Sequence, residues 1–256
     1  LQSVASVDTI FSGMPTGFSH QIQAVTVGPD GMLYVNTGDG NDSDSAQNLQ
    51  DKRGKILRMT LNGAMPPDNP FPGTYVYAYG LRNPFGAAWQ PGTGRLFVSD
   101  NGPDHDDRIV KVKPGSNNGW CCNQLPGAIA RFTPTVAPVG ILFMPGGLLP
   151  AEYNNRLFLA WSGPAYRPGP SDRGKQIWTY TLNDTGGVAS TQQFLHYVGN
   201  GHATCVGLAT GPDGLYFTDI YGDQGFNSNF ITNANIYRVR PGTQSSVHAD
   251  VPPPAK

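Results

Sequence analysis

The chain repeats itself at intervals of about 60 residues, and a repeat of that length leaves few architectures open. A turn signature running into a short stretch of β-branched or aromatic residues occurs four times. Gly28-Pro29-Asp30-Gly31 leads into Met32-Leu33-Tyr34-Val35, and Gly211-Pro212-Asp213-Gly214 leads into Leu215-Tyr216-Phe217. Between them stand Gln90-Pro91-Gly92-Thr93-Gly94 before Arg95-Leu96-Phe97-Val98, and Tyr153-Asn154-Asn155 before Arg156-Leu157-Phe158-Leu159. The aromatics Tyr34, Phe97, Phe158 and Tyr216 are 63, 61 and 58 positions apart. Each copy reads as a β-hairpin.

A second element follows in phase: Lys55-Ile56-Leu57-Arg58-Met59, Arg108-Ile109-Val110-Lys111-Val112, Gln176-Ile177-Trp178-Thr179-Tyr180 and Asn235-Ile236-Tyr237-Arg238-Val239. Polar and apolar residues alternate here with period 2, which predicts strands with one buried face. About four strands per unit is the mark of a propeller blade. A β-sandwich with chance similarity between hairpins is the alternative, and four in-phase copies argue against it. The expected fold is therefore all-β, a propeller with about four blades visible. Rings of such large blades usually have six members and need on the order of 360 residues. Residues 7–11 read as the closing strand of an earlier blade. The expectation is one propeller domain over residues 1–256, without the N-terminal blades of a larger ring.

Composition removes other classes. With 33 glycines and 23 prolines, few windows are free of breakers, so long helices are not expected. Charged residues make up 14%, and 17 Lys+Arg stand against 18 Asp+Glu, which gives no basic field for nucleic acid. No apolar run approaches the roughly 18 residues that membrane insertion needs. A start at Leu1, low charge and the acceptor triplets Asn41-Asp42-Ser43 and Asn183-Asp184-Thr185 predict a secreted or periplasmic, processed product. Adjacent Cys121 and Cys122 lack the spacer of a zinc half-site. One of them pairs with Cys205, or all three are buried thiols.

Several segments together resemble the glucose/sorbosone dehydrogenase family. They are His20 followed by Gly28-Pro29-Asp30-Gly31, then Thr37-Gly38-Asp39, Ala46-Gln47 and Gly54-Lys55-Ile56-Leu57-Arg58. The strongest is Tyr79-Gly80-Leu81-Arg82-Asn83-Pro84-Phe85-Gly86, with Trp89 and Pro91 behind it. Ser99-Asp100-Asn101-Gly102-Pro103, Asp106-Asp107 and Gly119-Trp120 continue the match. The resemblance implies a propeller of the six-bladed sugar-dehydrogenase type, pyrroloquinoline quinone (PQQ) and calcium as cofactors, and a small-molecule sugar as substrate.

Carried across residue by residue, the resemblance puts His20 at the general-base position. Oxidising a sugar hydroxyl requires a proton acceptor, and an imidazole titrates near neutral pH. Arg82 and Asn83 fall where the family contacts the quinone, and a guanidinium suits its oxygens and carboxylates. Gly102 and Pro103 fall where carbonyls face a calcium ion that touches PQQ. Asp104, Asp106 and Asp107 complete an oxygen-rich loop of the kind calcium needs.

The chain also departs from the family's pattern. Gln21-Ile22-Gln23 replaces small residues after the histidine, and Arg108 replaces an expected acidic ligand. No cation occurs in His202-Ala203-Thr204-Cys205-Val206-Gly207-Leu208, where a Lys or Arg for the PQQ carboxylates is expected. Arg167, Arg173 and Lys175 lie in or beside a Gly/Pro-rich excursion over 162–174 that reads as an exposed loop, and Asp219 and Asp223 in a polar turn. The leading expectation is PQQ- and calcium-dependent oxidation of an aldose hydroxyl. The others are a catalytically inactive propeller serving as an extracellular binding or structural module, and a calcium-dependent lactonase-like hydrolase. Association with the missing blades or with another chain is expected from the blade count.

Overall fold

Each sequence repeat folds into one antiparallel sheet. The structure, a computed structural model, describes residues 6–15, 18–122, 125–164, 167–221 and 234–242. The first sheet holds β1 (Ile22–Val27), β2 (Leu33–Thr37), β3 (Lys55–Met59) and β4 (Val76–Tyr79). The second holds β5 (Pro84–Gln90), β6 (Arg95–Asp100), β7 (Asp107–Val112) and β8 (Ala128–Phe132). The third holds β9 (Pro138–Phe143), β10 (Leu157–Trp161), β11 (Gln176–Leu182) and β12 (Val188–His196). In the fourth, β13 (Leu208–Gly211), β14 (Gly214–Thr218) and β15 (Ile236–Val239) are described. Strands pair in chain order, and β1, β5, β9 and β13 pack in succession as the inner strands. This is the expected propeller arrangement.

The repeated turn residues have a common job. Asp30 accepts hydrogen bonds from the Tyr34 hydroxyl and Arg58 Nε, both at 2.9 Å. Asp213 accepts from the Tyr216 hydroxyl at 2.6 Å and Arg238 Nη1 at 2.5 Å. The aspartate of each Gly-Pro-Asp-Gly turn thus ties its hairpin to the third strand of its sheet.

Three apolar clusters glue neighbouring sheets. Tyr34, Ile56 and Ala78 meet Leu96, Val98 and Val110 between the first and second. Phe97 and Ile109 meet Phe143, Leu157, Leu159 and Tyr180 between the second and third. Met144, Phe158 and Ile177 meet Leu215 and Phe217 between the third and fourth. Lys55 and Arg58 on β3 are buried despite the alternating pattern: Lys55 lies under the 43–53 segment, where its Nζ donates to the carbonyls of Ser45, Ala46 and Arg53, and Arg58 is held by Asp30, Asp68 and Asn69.

Two expectations are corrected. Residues 7–11 form no strand. Phe11 instead packs edge-on against Tyr75, with ring centroids 4.9 Å apart, and with Met14 caps the outer part of the first sheet's free face. Cys121 and Cys122 form a disulfide with each other, and Cys205 is a buried free thiol, so neither expected cysteine arrangement holds. Among the described residues no helix is long and apolar enough to cross a membrane.

Candidate functional site

Antiparallel pairing in chain order sends the first and third strands of every sheet away from one end and returns the second and fourth to it. Residues just before β1 and β5, after β2 and between β6 and β7 therefore share that end. His20, Arg82, Asn83, Asp39 and the loop from Asn101 to Asp106 are all there.

His20 lies in the loop leading into β1 rather than on a strand, with φ 53°. Its Nδ1 stands 2.7 Å from Asp39 Oδ1. Gly38 permits this placement, because a Cβ there would collide with the His20 carbonyl. Asp39 also accepts the Asn41 amide at 2.9 Å and Trp120 Nε1 at 2.7 Å. Burial alone would push the Asp39 carboxyl up, but the hydrogen bonds from His20, Asn41 and Trp120 outweigh it and hold it below its ordinary value. An ionised Asp39 accepts a hydrogen bond from Nδ1–H, which leaves Nε2 as the nitrogen with the free lone pair.

Trp120 carries the arrangement across to the next sheet. The Arg82 guanidinium lies 5.4 Å from its ring centroid, a cation–π contact. Arg82 Nη1 donates to the carbonyls of Asn101 at 3.1 Å and Gly102 at 2.6 Å. Its Nε and Nη2 hydrogens meet no protein acceptor among the described residues. Asp100 sets the backbone here: Oδ1 accepts the amides of Arg82 at 3.1 Å and Asn83 at 2.8 Å. Asp100 Oδ2 is paired with Arg108 Nε at 3.0 Å and Nη2 at 2.7 Å. Arg108 also donates to the carbonyls of Asn118 and Gly80. It points inward as the counter-ion of Asp100, so it is a structural residue rather than a lost ligand on the loop.

A cavity of about 140 Å³ opens beside Arg82 and Trp120, lined also by Asn101, Gly102, Pro103 and Asp106 and floored by the Asp100–Arg108 pair; His20 and Asp39 lie outside its lining. Asn101 Oδ1 is buried with no hydrogen-bond partner. Asp104 is exposed and outside the lining. Asp107 is also outside it. Its carboxylate accepts the Gly102 amide at 2.8 Å, the amides of Val136 and Ala137 at 2.7 Å each, and the Thr135 hydroxyl. Burial pushes the Asp107 carboxyl up, against the pull of those donors. Asp107 shapes the loop from within. Asn83 is buried beside Asp100 and likewise does not line the cavity.

Asp39, Asp100, Asn101 and Trp120 lie inside the segments that resemble the family, and only their contacts in the fold give them roles. One signal was available for Asp100. It faces Arg108 across the β6–β7 pairing, and a strand arginine destined for a sheet stack needs a carboxylate opposite. Among the other candidates, Lys175 is fully buried and its Nζ donates to the carbonyls of Arg167, Gly169 and Gly201. The excursion is therefore pinned to Lys175 and is not simply an exposed loop. Arg173 donates to the Thr133 carbonyl at 3.3 Å. Asp219 is buried and accepts from the Asn235 amide and the Tyr237 hydroxyl. Asp223 lies outside the described residues. No group of three or more His, Cys, Asp or Glu side chains among the described residues is arranged to hold a metal.

The chain as a whole is similar to known proteins. A solved structure of the PQQ-bound aldose sugar dehydrogenase from Streptomyces coelicolor superposes with a TM-score of 0.70 at 32% identity, covering 90% of this chain and 64% of that one. Quinoprotein glucose dehydrogenase B of Acinetobacter calcoaceticus is 35% identical over 133 residues, 43% of this chain and 28% of its own. Aldose sugar dehydrogenase YliI of Escherichia coli strain K12 is 34% identical over 128 residues, 47% of this chain and 34% of its own. The chain thus matches about a third of each of these two curated relatives. The family model described as glucose/sorbosone dehydrogenase matches residues 1–199. On that match, which spans most of the chain, and on the fold it shares with the solved structure, the chain belongs to the glucose/sorbosone dehydrogenase family.

Proposed function

We propose that this chain carries the sugar-oxidising centre of a PQQ- and calcium-dependent aldose dehydrogenase. The observation that supports it best is the continuous contact path from His20 through Asp39 and Trp120 to Arg82, which ends at a cavity with unmet donors and an unmet acceptor. The groups present fit the cofactors. The spare Arg82 hydrogens suit quinone oxygens, and Asn101 Oδ1, the Gly102 and Pro103 carbonyls and the Asp106 carboxylate offer hard oxygen to calcium. PQQ supplies the acceptor for the hydride that leaves the sugar carbon.

The protein's own contribution is proton chemistry and orientation. His20 Nε2 takes the proton of the sugar hydroxyl, and Asp39 is a positioning residue that fixes the tautomer and steadies the imidazolium. Asp100 is a positioning residue for Arg82. Arg82 Nη1, which donates to the Gly102 carbonyl, would tie the quinone-facing guanidinium to the loop that would hold calcium.

The test is reconstitution. Purified protein is mixed with PQQ and calcium, and quinone absorbance and dye reduction with aldoses are followed. Dye reduction that needs both additions is expected, and none with any aldose overturns the proposal. A second reading, a propeller without the cofactor that serves as a binding module, is favoured by Lys175, whose ammonium is spent on three backbone carbonyls. Calcium dependence, export from the cytoplasm and association with further blades belong to the same proposal. The association has a location: Val25 and Val27, on the face of β1 shared with Val35, are 59% and 58% exposed.

A further inference from the structure

Cys121 and Cys122 stand at the rim of the cavity, between Trp120 and Leu125, both of which line it. We propose that their disulfide is a redox-active site: a dithiol reductant opens it in the folded protein, and opening it loosens that rim. The inference goes beyond the sugar-oxidation reading and does not depend on it.

Three observations carry it. The bond is within reach: Cys122 is exposed and Cys121 part-buried, whereas Cys205 is 3% exposed. Its position gives it little value as a staple. A disulfide stabilises by closing a loop of the unfolded chain, and one between neighbours encloses no intervening residue. The backbone at Cys121 is also set against its own preference, with φ 86° in the left-handed region that residues other than glycine disfavour. Firm anchors flank it. The Trp120 amide donates to the Gly80 carbonyl at 3.0 Å, and Gln47 Nε2 donates to the Trp120 carbonyl at 2.7 Å. The Leu125 carbonyl accepts Arg131 Nη2 at 2.9 Å. Between those anchors the turn is held by the two linked sulfurs and by the Cys122 amide, which donates to the Gly119 carbonyl at 3.2 Å.

A thiolate of the reductant attacks Sγ of Cys122, the more exposed cysteine, and the Cys121 sulfur leaves as a thiolate that takes up a proton. The second thiol of the reductant then closes its own disulfide and releases Cys122 as a thiol. Two electrons and two protons pass to the protein, and the reductant ends as a disulfide. Cys121 is then free to leave the left-handed region and to carry the Cys122 amide off Gly119. The anchors at Trp120 and Leu125 confine the change to the rim.

The test uses the full chain without denaturant, quinone or calcium, in buffers of reduced and oxidised dithiothreitol. Thiols are trapped with iodoacetamide and located by peptide mass spectrometry, and amide hydrogen exchange is read on the same samples. Cys121 and Cys122 are expected to be blocked in protein purified without reductant, labelled together in the reducing buffer, and closed again in the oxidising one. Cys205 is the control for folding: burial pushes its thiol up to about 12, and it should stay unlabelled throughout. Exchange in the peptide that contains Cys122 should rise at least about tenfold on reduction, as the backbone strain at Cys121 is released. Cys121→Ser with Cys122→Ser should exchange at the fast rate in either buffer. Free thiols at both positions before reduction, no labelling under excess reductant, or labelling only together with Cys205 overturns the proposal. So does exchange that reduction leaves unchanged, or a double variant that exchanges slowly.

Discussion

Asp100 and Arg108 form an ion pair at 2.7 Å in which both side chains are 2% exposed, and the backbone of Arg82 hangs from the other oxygen of the same carboxylate. Removing one partner of a buried pair strands the other charge. Arg108→Ala should therefore cost about 3–5 kcal/mol, read from urea unfolding. Arg108→Glu, which restores the acidic residue of the family's pattern, should be worse still, because two carboxylates would then face each other across β6 and β7. A variant within 1 kcal/mol of wild type, roughly the size of an exposed ion pair, would show that the pair is solvated.

Asp39 gives a pH signature. Its carboxyl is held below the ordinary 3.8, so it contributes stability that is complete above that value and is lost as pH falls through the lowered one. Asp39→Asn abolishes this contribution. The stability gap between wild type and the variant should therefore shrink as acid is added below pH 3.8. In the reconstituted dye assay, His20→Ala should lower turnover at least about 10²-fold. Asp39→Asn should lower turnover while leaving KM for the sugar nearly unchanged, since Asp39 acts through the imidazole. A gap that stays constant with pH refutes the ionised carboxylate.

The two aspartates of the oxygen-rich loop should separate. Asp106 is part-exposed and lines the cavity, whereas Asp107 is fully buried and accepts four protein hydrogen bonds. Calcium titration of chelator-treated protein should show weaker binding in Asp106→Ala at unchanged thermal stability. Asp107→Ala should lose about 1–3 kcal/mol of stability for each buried donor left unmet, apart from any calcium effect. The opposite pattern, a stable Asp107→Ala with weakened calcium binding, would return Asp107 to the ligand set.

The fold was legible because the repeat carries its own chemistry. Asp30, Tyr34 and Arg58 recur as Asp213, Tyr216 and Arg238, and the period between copies set the blade. The site was legible only through resemblance. Nothing local marks His20 or Asp39 as partners, since they meet through the β1–β2 pairing and a close approach at Gly38. The direction of Asp107 was hidden for a related reason: three of its four donors come from Thr135 to Ala137, beyond the next strand. Residues 7–11 have strand composition, yet Phe11 packs edge-on against Tyr75 and the segment pairs with no strand.

The last prediction concerns the free face of the first sheet. Val25 and Val27 line up with Val35 and Leu33 across the β1–β2 register, so all four share one face. Phe11 and Met14 cover the Val35 end, next to Leu57 and Val76, and leave the two β1 valines more than half exposed. In the second and third sheets the inner strands instead pack on neighbours, β5 on β1 and β9 on β5. An inner strand with apolar residues facing water is a surface shaped for another blade. Light scattering of the purified chain should therefore show self-association or hydrophobic-dye binding. Val25→Lys with Val27→Lys should abolish both at a small cost in stability, because the two side chains are more than half exposed in the lone chain. A monodisperse 27.4 kDa species that binds no dye would mean that this face needs no cover.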